Sequence, residues 1–427
     1  MKHKACVIKC ATTALASLGA YHSWCQNEPL THFEGYHLAQ PGPYPFGANS
    51  LDWFPDDYEV QGVTNDGQNW FFTLTDQDET TGVLWKIPKE VPLDGDVASY
   101  PGVMHIELDS LSLTELYNLG AWHWGDLDFV EYLGVGYLVV PIYQRIAVFR
   151  ADDLSYVNWS NFPNNGGGGW CAVGNDLNLY GSTNDPNAIT RFFVDWDGLL
   201  FEYEHDALYE TQEYPMTESD GVTPLQLTDM QGGEFSPTGE MLYLVSGRGR
   251  CLFWGEGETP QDGIHAIRTD TWTRMRKSVR TSNVLVPFRY NYDPTCIMCD
   301  ILGVPTGAGS ETPEGLTIWA LQDGSAPYIE GTLHVLVDRY TFAANCNDEL
   351  FLHHYSPIIH IDTEGAVLAY GTSGSQFDGL TSAQNFYPDL WNGATLSFDA
   401  GVYGDTGFIN QRVRLISRNG TALIGQE

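Results

Sequence analysis

An all-β chain closed into a single β-propeller of roughly five to seven blades, with about six the central expectation, is what this sequence predicts. Three observations carry the prediction. One short pattern, a polar residue beside glycine followed by a turn and an apolar strand, recurs along the chain. The 45 glycines and 22 prolines among 427 residues suit many short strands joined by turns better than long helices. No segment shows a capped, 3.6-periodic pattern longer than a few turns, and "HIELDSLSLTELYNLG" (105–120), the best short helical candidate, reads as an insertion.

The recurring pattern is plainest in "MQGGEFSPTGEMLYLVSG" (230–247). It returns in "VQGVTNDGQNWFFTLT" (60–75), "HWGDLDFVEYLGVGYLVVPI" (123–142), "WCAVGNDLNLYGST" (170–183) and "PEGLTIWALQDGSAPYIEGTLHVLVDR" (313–339). The glycine or Asn-Asp-Gly within each line is a hairpin turn signal. Strand-like runs lie between the lines, at 145–157, 263–273 and 350–362. Each line therefore supplies the two inner strands of a blade and the following run the two outer ones. A pair of β-sandwiches or a β-helix explains the long repeat period poorly.

Around this ring the sequence suggests a basic start, "MKHK", and a small-residue apolar stretch ending near Ala20, which together read as a signal peptide over 1–20. Residues 21–57, rich in Pro, Tyr and Trp, form an ordered lead-in, because so many rings need burial. The propeller takes 58–427, with 372–427 finishing or clasping the ring. No stretch is long and apolar enough for a membrane span. The expected location is secreted, extracellular or periplasmic. Of eight cysteines, Cys6 and Cys10 would leave with the signal; Cys25, Cys171, Cys251, Cys296, Cys299 and Cys346 remain, an even set that suggests disulfides. "CIMC" (296–299) lacks a partner half-site for zinc. The sequons at Asn158 and Asn419 matter only where glycosylation machinery exists.

A net charge of −35 excludes nucleic acid and anionic lipid as general partners. The acidity suits solubility in salty or extracellular surroundings, or attraction of a hard cation such as calcium. Against this background, eight of the 20 Lys and Arg residues fall between Arg248 and Arg289: Arg248, Arg250, Arg268, Arg274, Arg276, Lys277, Arg280 and Arg289. They would either grip an acidic glycan or alternate with carboxylates on ordinary surface strands. No nucleophile elbow, His-Glu-x-x-His or dinucleotide fingerprint is present, so no nucleotide cofactor is expected.

The lines "QGVTNDGQNWFFT", "QGGEFSPTGEMLYLVS" and "PEGLTIWALQ…GTLHVLV" resemble the inner-strand lines of secreted calcium-type propellers. That group includes the gluconolactonase/senescence-marker, phytase-like and strictosidine-synthase-like families. The resemblance implies a metal held at the positions of Gln61, Gln231 and Glu314. Glutamine at two of them leaves one negative charge, so calcium would need Asp126, Asp128 or Glu234 in addition to Glu314.

First strands of blades face the central channel, so line starts converge there. The candidates for ligand contact are Gln61, Trp170, Gln231, Glu234, Arg248 and Arg250. His123, Asp126 and Glu314 are candidates for catalysis; Asp126, Asp128, Glu234 and Glu314 for metal. The competing reading makes the same glutamines and aspartates caps for backbone amides of a neighbouring blade. Two functions stay open: a propeller binding a glycan or other small polar ligand, or a hydrolase or lyase acting in the same channel.

Overall fold

A computed structural model describes strands at 6–8 and 48–50, most of residues 58–277 and 311–366, and residues 395–404 and 414–424. The remainder, chiefly 9–47, 248–260, 278–310, 341–347 and most of 367–394, lies outside the described residues. Outside them fall the Cys-x-x-Cys stretch, Arg248, Arg250, Arg280 and Arg289, and most of the proposed signal and lead-in.

Two strands from the N-terminal region, β1 (Cys6–Ile8) and β2 (Ala48–Ser50), serve other parts of the fold. Blade 1 contains β3 (Tyr58–Asn65), β4 (Asn69–Asp76), β5 (Gly82–Pro88) and β6 (Met104–Glu107). Blade 2 contains β7 (Asp128–Tyr132), β8 (Val135–Ile142), β9 (Arg145–Arg150) and β10 (Tyr156–Asn161). Blade 3 contains β11 (Ala172–Val173), β12 (Leu179–Gly181), β13 (Ala188–Val194) and β14 (Leu208–Pro215), with helix α1 (Trp196–Phe201) between the last two. Blade 4 contains β15 (Met230–Phe235), β16 (Met241–Ser246), β17 (Gly263–Arg268) and β18 (Thr273–Lys277). Blade 5 contains β19 (Glu311–Ile318), β20 (Leu333–Tyr340) and β21 (Asp348–Tyr355), and its fourth strand is β2.

The ring thus has five antiparallel blades, within the expected range and one below its centre. Successive inner strands neighbour one another in chain order, and β19 returns to β3. The fastening strand comes from the N-terminal lead-in: Ala48 pairs with His353 and Ser50 with Phe351. The run 350–362 is shared between two sheets. Its first half is in β21; its second opens β22 (Ile358–Ala366), which joins β23 (Thr395–Tyr403) and β24 (Arg414–Ile424) in parallel. β1 pairs with the end of β24, so this sheet adds no strand to a blade.

Alternation builds the core between blades. In β4, Trp70, Phe72 and Leu74 pack towards blade 5 with Trp319, Leu336 and Leu352, while Phe71 packs towards blade 2 with Leu138 and Phe149. In β8, Leu138 and Val140 face blade 1, and Val139 faces Phe192 and Leu199 of the next interface. Both faces of a blade are covered by neighbours, which explains the nearly unbroken apolar runs "WFFTL" and "YLVVPI".

Candidate functional site

Three inner strands carry a β-bulge at the same point of the repeat. Pairing slips between Val60 and Gly62 in β3, between Met230 and Gly232 in β15, and between Pro313 and Gly315 in β19. The extra residues are Gln61, Gln231 and Glu314. A bulge frees one residue from the ladder and re-aims its side chain.

The glycine after each bulge closes on Asp126, which precedes β7. A Cβ on Gly62 would lie 2.5 Å from the Asp126 Cα, on Gly232 2.4 Å from Oδ2, and on Gly315 2.6 Å from Oδ1. The same hypothetical Cβ on Gly315 would be 2.8 Å from the Gly62 Cα, so the glycine backbones themselves are in contact. Asp126 is fully buried; Oδ1 accepts from the Val63 N–H and Oδ2 from the Gly233 N–H, each at 3.0 Å. Blades 2 and 4 are not ring neighbours, so the bond to Gly233 crosses the axis. The Asp126 carboxyl therefore plugs the channel and divides it into an entry side, where inner strands begin, and an exit side, where they end.

On the entry side stand Gln61, Gln231, Glu314 and His123. Gln61 and Glu314 are largely buried, while Gln231 and His123 keep partial exposure. Gln231 Nε2 donates to the Gly247 carbonyl at 3.3 Å, and Gln61 Nε2 donates to Glu59 at 3.4 Å. His123 Nε2 lies 4.0 Å from where a Cβ on Gly169 would be, and Gly169 accepts from the Asp126 N–H at 2.6 Å. Trp170 is instead a wall of the core: it is fully buried, donates from Nε1 to Ser182 at 2.9 Å, and lies against Gly233.

One pleat beyond the plug, on the exit side, Thr64, Asp128, Glu234 and Thr317 repeat the geometry. Asp128 Oδ2 accepts from the Val173 N–H at 2.6 Å, and Thr64 bonds the same carboxyl. Glu234 Oε1 accepts from the Ile318 N–H at 3.1 Å, and Thr317 bonds that carboxyl. Asn65 Nδ2 donates to the Thr317 hydroxyl at 2.8 Å. Glu234 Oε2 is sealed from water without a hydrogen-bond partner, although the residue as a whole is partly exposed. Burial pushes Asp128 up to about 7 against the amide hydrogen bonds that favour its ionised form. Burial, then the charge of Asp128, raises Glu234; Asp126 is raised mainly by burial. Burial outweighs the hydrogen bonds in each case, so Asp126, Asp128 and Glu234 all hold protons towards neutral pH.

This set does not fit calcium, which takes about six to eight oxygen ligands. Both oxygens of Asp126 are committed to amides and walled in by glycine. Among the described residues no three His, Cys, Asp or Glu side chains gather to hold a metal ion. Cys171 is a buried free thiol donating to the Val139 carbonyl at 3.5 Å; the side chains of the other cysteines lie outside the described residues. Of the cationic region, Arg268 is paired with Asp270, and Arg274 with Glu218 and Gln261. Asn158 is buried with Nδ2 donating to the Leu199 carbonyl at 3.0 Å, which closes that sequon to modification of the folded chain.

The exit-side group escaped the sequence reading as a group, yet a signal existed. Aligned on the plug, the lines read Q-G-V-T (61–64), G-D-L-D (125–128), Q-G-G-E (231–234) and E-G-L-T (314–317). The fourth position is always an oxygen-bearing side chain, two residues past the collar and so on the same strand face.

No protein-family model matches the chain, and no curated protein does. Solved structures do. A protein of unknown function from Bacteroides caccae is 11% identical, covers 52% of this chain and 68% of its own, and has a TM-score of 0.33. A catalytically inactive virginiamycin B lyase from Staphylococcus aureus, with quinupristin, is 12% identical over 71% of this chain and 98% of its own, at 0.30. The β-propeller domain of Cps50 (Swd1) from Myceliophteria thermophila is 10% identical over 69% of this chain and 82% of its own, at 0.29. At such values the likeness bears on nothing but the fold, which rests on the strand pairing above.

Proposed function

We propose that this propeller binds a neutral or weakly charged polyhydroxylated ligand, a glycan in the first instance, on the entry side of the plugged channel. The observation that carries this reading is the triple bulge. Three blades each leave the ladder at the same step and turn Gln61, Gln231 and Glu314 out of register on the entry side of the plug. Two amides and one carboxyl brought to the same level by three blades suit hydroxyl groups, which accept and donate in turn. The reading keeps the ligand side of the family resemblance and leaves out its metal, because both Asp126 oxygens are committed to amides and, among the described residues, too few others converge there for a cation. Export through residues 1–20 belongs to the same proposal, since surface glycans are met outside the cell; removal of that stretch would take β1 from the edge of β24.

A glycan array followed by calorimetry tests it. Binding by the parent protein should weaken at least about tenfold in Gln231→Ala and in Glu314→Gln, the loss expected when a buried polar contact goes unmet. Unchanged affinity in both variants, or an array without a hit, would remove the proposal. Chelator should leave the affinity as it was; a loss would return the metal-dependent hydrolase reading to first place.

A further inference from the structure

The exit side carries a second feature, far from the bulges. Among the described residues eleven large apolar side chains are exposed, and six belong to one stretch: Leu133, Leu177, Phe193, Phe201, Tyr203 and Tyr209. They stand on the connections at the exit-side edge of blades 2 and 3. Leu133 tops the β7–β8 hairpin and Leu177 the β11–β12 turn; Phe201 and Tyr203 lie at and just beyond the end of α1. Phe193 and Tyr209 are cross-strand partners on β13 and β14.

These tips are tied together through Trp196 of α1. Its Nε1 donates to the Leu177 carbonyl at 2.9 Å, and the Tyr132 ring, beside Leu133, stacks on it at 5.9 Å. The backbone at three tips is left-handed, with φ of 52° at Leu133, 58° at Leu177 and 60° at Tyr203. That region favours Gly, Asn and Asp, and bulky side chains there are uncommon. Leu133 is 75% and Tyr203 62% exposed, so neither strain is offset by burial of the side chain. Strain kept at exposed apolar tips on one edge points to a use outside the folding of the chain.

The charges between these side chains say what kind of partner fits. Glu131, Asp197, Glu202, Glu204 and Asp206 are exposed among them. Between Lys89 and Arg248 the chain has no lysine and three arginines. Arg150 is paired with Asp152 and Arg191 with Asp176, each at 3.1 Å, and Arg145 lies over the Trp159 ring. We infer that this edge is a docking surface for a polypeptide segment that carries Lys or Arg beside apolar side chains. The apolar anchors set the affinity and the carboxylates steer the encounter. A lipid surface does not suit it, because anionic headgroups meet the same carboxylates.

The test uses a short peptide alternating lysine, leucine and tryptophan, its glutamate counterpart, and vesicles containing phosphatidylserine. The key variant is the triple Leu133→Asn, Leu177→Asn, Tyr203→Asn, which keeps the net charge and places a residue that tolerates the left-handed region at each tip. The parent protein should bind the lysine peptide and not the glutamate one. The triple variant should bind it at least about tenfold more weakly, as loss of interface anchors does, while melting no lower than the parent. Because a chain of this acidity attracts any cationic peptide, equal affinity in parent and triple variant overturns the proposal. So does vesicle binding by the parent that the triple variant loses, which would make the surface a lipid site. A lower melting temperature in the triple variant would show that the tips serve the fold; the Glu202→Gln, Glu204→Gln variant then decides, and unchanged peptide affinity in it overturns the proposal.

Discussion

Asp126 and Asp128 stand two residues apart, both sealed from water and both pushed up by burial, yet the other blades surround them differently. Asp126 meets two amide donors from blades 1 and 4 and a collar of glycines. Asp128 meets Val173 and Thr64 on one side and the like-charged Glu234 across the channel. The first locks the axis through amide bonds to two blades. The second lies beside another raised carboxyl, Glu234, whose own shift its charge increases. Identical side chains on one strand face acquire different chemistry from what the other blades present at each level.

The comparison breaks most visibly at the collar. Gly62→Ala would press a methyl against the Asp126 main chain, which cannot yield, and should cost about 3 kcal/mol by urea unfolding, at the upper end for an overpacked core. An unchanged midpoint would mean the axis is looser than the contacts indicate. Asp126→Asn comes next. One amide oxygen can serve Val63 or Gly233 but not both, and the new NH2 would face a donor, so about 1–3 kcal/mol should be lost. A stable variant that has lost glycan binding would instead make Asp126 a ligand contact.

The exit-side group sharpens the contrast through pH. Asp128 has a folded value of about 7, above its usual 3.8, so the stability it contributes is full below about pH 4 and gone by about pH 7. Buried histidines work the other way. His334 donates from Nε2 to the Trp319 carbonyl and accepts at Nδ1 from His354, and burial lowers it to about 4; His265 is lowered to about 3, by burial first and then by Arg274 and Lys277. Their contribution is full above about pH 6.5 and lost as pH falls towards those values. In the parent the two trends oppose each other between about pH 4 and 6.5, giving a shallow profile. Asp128→Asn with Glu234→Gln leaves Asp126 alone to carry the carboxyl trend, so the melting temperature should climb with pH more steeply than the parent's up to about 6.5. A variant profile as shallow as the parent's would refute the contribution of Asp128 and Glu234. The smallest effect belongs to the bulges: Gln231→Ala should cost no more than about 1 kcal/mol, because the one amide bond it removes, to the carbonyl of buried Gly247, is long at 3.3 Å.

The ring was legible in the repeat, and so was the placing of inner and outer strands, because alternation and turn glycines are local signals. The line starts marked where the inner strands begin. What they do there was not legible. Gln61-Gly62 reads equally as turn, cap or ligand pair until the register shows that Gln61 has left the ladder. Gly62, Gly232 and Gly315 look like flexible positions, and only the convergence of three blades turns them into a collar. The fourth strand of blade 5 was hidden for a related reason: a three-residue strand has too little pattern to announce a partner at the far end of the chain.

That borrowed strand governs the order of events in biosynthesis. Ala48–Ser50 leaves the ribosome among the first residues, yet its partner β21 follows only after four blades have been made. Closure must therefore wait for nearly the whole ring, and until then the outer edge of β21 stands open to pairing with another chain. A protease that trims the region before residue 51 would reopen that same edge in the finished molecule. Ala48–Ser50 is thus a latch, and its loss would show as self-association before it showed as unfolding.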